Sequence, residues 1–589
     1  MRLEDYWGVG PKTAGALREE LGEEAAIAAI EAADSRALVG AGVSRGRATR
    51  ILRRVEGGEG LDLLATRDAR AVYRDVVELV ESFAITEYAA DQLRVLTPLT
   101  DREAIESRLD ETMAAVEAWR ALDEGTREAV LDAFSGYDSR AGGEAASVET
   151  ALALREVGVR EGVFAPLADL DADALSEAGV ALRALPEDGG TVETGADDEL
   201  DRLRADLGRV EDMAAAPDEV LEAVQGTARD ASAFRDALAR HVTDETGVEG
   251  AAVREAMPGE ATDAADFVSE TLRGLARALR ERVDEREATV REELEAAVET
   301  AREDVDAAVQ AVDDIAVQVS LARFALAFDL RRPTLTTGEG GAESDSVLAV
   351  EAARSLDLLA AGVDVQPVTY AVGDHDLSDV PTGDRVGVLT GANSGGKTTL
   401  LETLCQVALL AHMGLPVPAE RAEVSLVDSL VFHRRHASFN AGVLESTLRS
   451  VVPPLTGGGR TLMLVDEFEA ITEPGSAADL LHGLVTLTVE RDALGVFVTH
   501  LAEDLEPLPD VARIDGIFAE GLTPDLDLQV DYQPRFGTLG RSTPEFIVSR
   551  LVAQARDGEE RAGFQTLARA VGSEAVQRTL ADAKWTAEN

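Results

Sequence analysis

Three short segments carry residue types whose spacing suits phosphate chemistry. The first is Gly391-Ala392-Asn393-Ser394-Gly395-Gly396-Lys397-Thr398-Thr399, which follows the apolar run Val386–Thr390 and precedes the helix-like LLETLCQVALLAHMG. It is a G-x-x-x-x-G-K-[ST] loop in the strand, loop, helix setting that such loops require. The glycines let successive backbone N–H groups turn toward a phosphate, and the helix start adds its positive end. Lys397 then reaches the β and γ phosphates, and the Thr398 hydroxyl ligates Mg2+. The second segment, Thr461–Phe468, is a buried-strand pattern ending in Asp466 and Glu467. Asp466 is suited to hold Mg2+ through water, and Glu467 to polarise the water that attacks in line. Alone, such a pair is usually a strand-end turn; beside a phosphate loop it becomes specific. The third, Gly495–His500, puts a histidine at a strand end. His500 is either a satisfied turn histidine or a sensor of γ-phosphate or water, because successive strand ends of one parallel sheet converge on one edge. ATP and Mg2+ are the cofactors this set calls for.

These residues need a sheet to hold them. From about residue 346 short Val and Leu runs alternate with Gly and Asp turns and helical segments, the texture of an α/β domain. Upstream the chain reads as helical. Leu272, Leu275, Leu279, Val283, Val290, Leu294, Val298 and Val305 recur at helical spacing amid Arg and Glu, between Phe267 and about Phe328. That spacing predicts one long amphipathic helix, either an antiparallel coiled-coil arm or a member of a bundle. A loop is expected at about 186–200, and a glycine-rich joint at Gly57-Gly58-Glu59-Gly60.

Composition sets the background. The 589 residues carry 111 Asp plus Glu against 56 Lys plus Arg, a net charge of −55, with 45% apolar residues. That apolar share excludes a wholly unstructured acidic chain. The single Cys405 allows neither an internal disulfide nor a four-cysteine zinc site, and the N-terminus lacks a signal-peptide core. No apolar stretch is long enough for a membrane span, so a cytoplasmic protein without membrane contact is expected. Only Lys12, Lys397 and Lys584 are lysine; every other base is arginine. This composition resembles that of a protein from a salt-accumulating halophile, where molar salt shortens screening to about 3 Å. The acidity then records the solvent and does not argue against a nucleic-acid partner.

Residues 1–56 break the pattern, with nine acids and nine bases. Within them Trp7-Gly8-Val9-Gly10-Pro11-Lys12-Thr13-Ala14 has the GxGPxxA form of a helix-hairpin-helix motif, and Gly42–Ala48 repeats it with Ser44 for the second glycine. Such hairpins offer backbone N–H groups and a basic side chain to DNA phosphates without reading bases. The alternative is a glycine turn between packed helices. Arg45, Arg47, Arg50, Arg53 and Arg54, with no acid among them, favour DNA. Gly8, Gly10, Lys12, Arg45, Arg47 and Arg50 are the candidate contacts. His433-Arg434-Arg435-His436 is a second basic cluster, either a solvated turn or a place near the nucleotide or a dimer contact.

The nucleotide segment resembles the MutS family of DNA-repair ATPases. GANSGGKTTL is similar to that family's phosphate loop, ALLAHMGLPVPAE to its "AQxGxxVPA" stretch, and DEFEAITEPGSAAD to the segment after its second motif. Leu444–Leu448 falls at its Ser-Thr signature, and His500 matches its "ATH" histidine. Upstream, Leu96–Leu109 resembles its "P-x-TD-x-x-x-I-x-x-RL" core segment. The resemblance implies an ABC-type ATPase domain, helical levers and clamp, and a homodimer in which Ser446 reaches the γ-phosphate bound by the opposite subunit. The departures are the absence of a Phe-x-Glu mismatch wedge and the change at Glu469-Ala470-Ile471 in the post-Walker loop, which bears on communication between subunits. They point to the archaeal form of the second MutS subfamily, without the Smr nuclease domain of its bacterial members, so no nuclease activity is expected. The fold class is multidomain α plus α/β. Its expected domains are helix-hairpin-helix (1–58), helical core, levers and clamp (59–330), P-loop ATPase (331–545) and a helical dimerisation element (546–589). The expected function is ATP hydrolysis coupled to largely sequence-non-specific binding of double-stranded or branched DNA in repair or recombination. Two alternatives are an SMC-like or other ABC-type DNA-organising ATPase, and a DNA-binding adaptor with a vestigial ATPase. The compact stretch between Lys397 and Asp466 speaks against a coiled-coil insertion of the SMC kind.

Overall fold

A computed structural model describes residues 2–580 apart from 32, 140–141, 186–189, 227–229, 337–345, 392–395, 436–440, 469–473, 524–527, 541–543 and 573–575. The chain forms two compact units, residues 1–127 with 315–589, and residues 128–314. The helical stretch read from 59 to 330 is therefore shared between them.

The first unit holds all of the strands described: β1 (Thr334–Thr336), β2 (Val347–Ala353), β3 (Val368–Gly373), β4 (Val386–Gly391), β5 (Arg421–Ser425), β6 (Ser429–His433), β7 (Thr461–Asp466), β8 (Leu494–Val498), β9 (Ala512–Leu522) and β10 (Leu528–Phe536). A four-stranded sheet has the order β1-β5-β2-β3 and a six-stranded one β10-β9-β4-β8-β7-β6. In the larger sheet every neighbouring pair is parallel except β9 with β10. β4, β7 and β8 are buried along their whole length, as central parallel strands covered on both faces must be. Their register sets Leu389 and Asp466 on either side of Val498, so three carboxyl ends meet at one edge, where open α/β sheets bind ligands. Beneath them Tyr370 of β3 donates to Asp515 Oδ2 at 2.9 Å and Arg513 Nε to the same carboxylate at 3.0 Å. This buried trio ties the small sheet to β9. Burial pushes the Asp515 carboxyl up, against the Arg513 charge that pulls it down.

The N-terminal helices Pro11–Glu20, Glu23–Glu31, Ser35–Gly40 and Arg45–Asp62 close over their own core, with Leu3, Leu17, Ile30, Leu38, Ile51 and Leu52 fully buried. The expected joint at Gly57–Gly60 is absent as a break: the Arg45–Asp62 helix runs through it. Gly60 serves close approach instead, since a methyl there would overlap the Pro98 carbonyl. After that helix, Leu64 pairs in parallel with Leu430, extending the sheet edge beside β6.

In the second unit the helices Asp198–Ala215 and Ala264–Thr300 lie antiparallel, sharing one apolar cluster that includes Leu200, Leu203, Val210, Leu279, Val283 and Val290, and joined by ion pairs Arg286–Asp197 and Arg280–Glu211, both 2.6 Å. The single helix expected between Phe267 and Phe328 is two, Ala264–Thr300 and Arg302–Ala327, because Ala301 leaves helical geometry and donates back to Val298 and Glu299. The C-terminal helices Pro544–Gln554 and Gly558–Val571 share a small apolar cluster with Val576.

Candidate functional site: a phosphate-loop pocket and a paired hairpin

Gly396 adopts φ +71° and caps the helix Lys397–His412. A side chain there would be strained and would meet the Tyr532 ring at 2.8 Å, so glycine is required. Lys397 follows, only 4% exposed, and its Nζ donates to the Gly391 carbonyl at 2.9 Å across the mouth of the loop. Ala392, Asn393, Ser394 and Gly395 lie outside the described residues. Thr398 is exposed at the helix start and donates to Asp466 Oδ2 at 2.8 Å. Thr399 is half-buried beside it, and Cys405 is buried further along the same helix.

Glu467 sits at φ +43°, off the end of β7, with its N–H bonded to the Val498 carbonyl. His500 Nε2 lies 2.9 Å from Glu467 Oε1 and Arg435 Nη1 2.6 Å from Oε2. The ionised carboxylate only accepts, so the His500 Nε2 carries the proton. The hydrogen bond from His500 is the main cause holding the Glu467 carboxyl below its usual range. The charges of His500, Arg435 and Lys397 add to it, and burial opposes. Next to Arg435, Arg434 pairs with Glu402 at 2.9 Å, while burial pushes the Glu402 carboxyl up.

A cavity of about 420 Å3 opens beside Lys397, Thr398 and Glu467, between Gly396–Leu400, the loop Val363–Gln366 and Tyr532. Tyr532 is 40% exposed and its N–H bonds to Gln366. The volume lies in the range of small-molecule sites, about 300–1,000 Å3. The donor set fits a metal-bound nucleoside triphosphate: a buried ammonium, a hydroxyl and a carboxylate in contact, an ionised glutamate, and an aromatic wall.

The structure thus brings together Gly391, Gly396, Lys397, Thr398, Thr399, Asp466, Glu467 and His500. Ser446 is exposed on the helix Ala441–Thr456 and does not line this cavity. Tyr532, Gln366 and the clamp of Arg435 on Glu467 were missed from sequence. Only the basic run at 433–436 gave a signal, and His436 lies outside the described residues, as do Glu469, Ala470 and Ile471.

The two glycine turns near the N-terminus share one backbone design. Gly8 and Gly42 both have φ +81°, Val9 and Val43 are buried at 4% and 5%, and Gly10 and Ser44 cap the helices that follow. They also touch, since Arg47 donates to the Gly8 carbonyl at 3.3 Å. Lys12, Arg45, Arg47 and Arg50 are exposed. Arg45 lies 3.8 Å from Asp91, and Arg50 Nε bonds to the Gly46 carbonyl.

No helix among the described residues is long and apolar enough to cross a membrane. Residues 387–453 match the MutS domain V family. The chain is 48% identical over 199 residues to the DNA-binding protein MutS2 of Pyrococcus furiosus, a match covering 33% of this chain and 35% of that protein. It is 28% identical over 402 residues to the DNA mismatch repair protein MutS of Granulibacter bethesdensis, covering 62% and 40%. It is 32% identical over 177 residues to the Endonuclease MutS2 of Thermus thermophilus, covering 28% and 23%. The chain therefore spans well under half the length of each of these relatives. These matches support a MutS-family protein that is MutS2-like.

Proposed function

We propose that the chain is a Mg2+-dependent ATPase that dimerises through its nucleotide domain and binds double-stranded DNA largely without reading sequence, in repair or recombination. The observation that carries the ATPase reading is the contact of Thr398 with Asp466, with buried Lys397 on one side and the Glu467–His500 pair on the other. Mg2+ would supply charge neutralisation on the phosphates, held by Thr398 and Asp466. Gly396 and Lys397 would seat the phosphates, and the Tyr532 ring would cover the base. Glu467 would orient the attacking water as an anion, with His500 fixing its rotamer and sensing the γ-phosphate. Ser446, exposed on its helix, would complete the site of the opposite subunit.

DNA binding rests on the paired hairpins, with Gly8 and Gly10 presenting backbone and Lys12, Arg45, Arg47 and Arg50 presenting charge. Relatives named as DNA-binding and mismatch-repair proteins are consistent with this. No nuclease step is part of the reading. The test is steady-state ATP hydrolysis in molar KCl with Mg2+. Wild type turns over, whereas Lys397→Ala and Glu467→Ala do not, and Glu467→Ala still binds ATP. Turnover at the wild-type rate in either variant sinks the assignment, and an inert wild type would leave a DNA-binding adaptor.

A further inference from the structure

A cavity of about 500 Å3 opens in the crook between the helices Arg45–Asp62 and Arg67–Glu81, away from the nucleotide pocket. Five arginines line it, Arg50, Arg53 and Arg54 from the first helix and Arg70 and Arg74 from the second, and no carboxylate is among its described lining residues. In a chain of net charge −55 this is an unusual concentration of one sign. Three of the five have no carboxylate partner among the described residues and are held by backbone. Nε of Arg50, Arg53 and Arg70 donates to the carbonyls of Gly46, Arg94 and Leu64 at 3.0, 2.8 and 3.0 Å. Arg54 and Arg74 have acidic neighbours, Asp62 at 3.3 Å and Asp75 at 3.6 Å.

The same cavity has two aromatic walls. Trp7 is 58% exposed, and Arg54 lies over its ring at 5.5 Å; Tyr73 has Arg53 over its ring at 5.4 Å. Trp7 directly precedes Gly8, so this wall adjoins the first hairpin. Guanidinium groups bind phosphate, and an exposed indole offers a face for stacking. A duplex hides its base faces inside the stack, so an aromatic wall in a concave basic site matches a base that has left it.

We propose that this arginine-walled cleft takes an unpaired nucleotide of a single strand where it leaves a duplex held on the hairpins, with Trp7 stacking on the base and the arginines holding the flanking phosphates. The proposal rests on the DNA-binding reading and adds the class of DNA: a duplex with a single-stranded arm.

The test is fluorescence anisotropy of the full chain with labelled blunt duplex and with the same duplex carrying a single-stranded arm, at the lowest KCl concentration that keeps the protein folded. Wild type should bind the armed DNA about tenfold more tightly, the scale of one stacked base. Trp7→Ala should abolish that preference while leaving blunt-duplex affinity within about twofold, and Trp7→Phe should keep most of it. Arg50→Ala with Arg70→Ala should weaken armed-DNA binding and flatten its dependence on log salt by about one unit for each phosphate no longer neutralised. Equal wild-type affinity for both DNAs, a preference surviving in Trp7→Ala, or full displacement of the armed DNA by polyglutamate at equal charge would each overturn the cleft while leaving duplex binding intact. A wild type that binds neither DNA would remove the DNA-binding reading itself, and the cleft with it.

Discussion

Lys397 and Lys12 stand in similar local settings, each in the first turn of a helix capped by a glycine, yet one is 4% exposed and the other lies open to solvent. Lys397 is fixed to the Gly391 carbonyl within reach of Glu467, so its charge has one place to act. Lys12 can follow a ligand whose register varies. The contrast teaches that burial of the cation, more than the glycine turn before it, separates a site for phosphate chemistry from a site that grips phosphate. It also gives a reason for lysine in a chain that otherwise uses arginine: a compact ammonium fits a buried loop where a planar fork does not.

The largest effect is therefore expected from changing the cation while keeping its charge. Lys397→Arg should lower ATP turnover by at least about 100-fold, since the longer, planar group cannot occupy the buried position. Lys12→Arg should leave duplex affinity within about twofold, because an exposed phosphate contact tolerates either base. Parallel kinetics and anisotropy decide the matter. Near-normal turnover in Lys397→Arg, or abolished DNA binding in Lys12→Arg, would break the distinction.

A smaller effect concerns how the buried site sets its own charge. Glu467 is held below its ordinary carboxylate range mainly by the His500 hydrogen bond, so the anion persists into acid solution. The sign follows. A carboxylate with a lowered folded-state pKa contributes stability above its unfolded value, and that contribution is lost as pH falls through the folded value. If Glu467 works as an anion, the acidic limb of the turnover profile lies below the ordinary glutamate range in wild type, and His500→Ala moves it toward higher pH. His500→Gln, which keeps a donor, moves it less, and so does Arg435→Ala, whose charge is a lesser cause. The position of the limb is the readout, because its height also reflects any sensing by His500. An unmoved limb in His500→Ala would show that Glu467 does not set it.

The legible and illegible parts of this molecule divide by sequence distance. The phosphate loop, Asp466, Glu467 and His500 could be read because each sits at the end of a strand whose apolar run announces it. Tyr532 could not, because an aromatic residue on β10 reaches Gly396 only through the pairing of β10 with β9 and β9 with β4. The Arg435–Glu467 pair was hidden in the same way, needing β6 beside β7. The edge pairing of Leu64 with Leu430 joins residues far apart in sequence through backbone alone, and the Thr66 hydroxyl reaches a backbone acceptor, the Phe432 carbonyl at 2.6 Å, so neither partner is marked by a side-chain pattern. At Gly57–Gly60 local propensity misled. Glycine there reads as a break, whereas packing against Pro98 asks for a helix without a Cβ at residue 60.

The two hairpins invite the same question at smaller scale, since a shared backbone need not mean equal packing. Gly8 and Gly42 share φ +81°, so alanine at either pays for the left-handed conformation, about 1–2 kcal/mol. Only at Gly8 does an added methyl also meet a core side chain, Ile51 Cγ1 at 3.2 Å; at Gly42 nothing lies within 4 Å. Because Ile51 is fully buried it has little room to yield, and Gly8→Ala should cost about 1 kcal/mol more than Gly42→Ala. Thermal unfolding of the full chain followed by circular dichroism, with proteolysis reporting release of the N-terminal helices, measures the difference. Equal losses would mean that the two turns are equivalent in packing as well as in backbone. A larger loss at Gly8 would identify the hairpin beside Trp7 and Arg47 as the one locked to the Arg45–Asp62 helix, and so as the rigid reference against which the second presents its arginines.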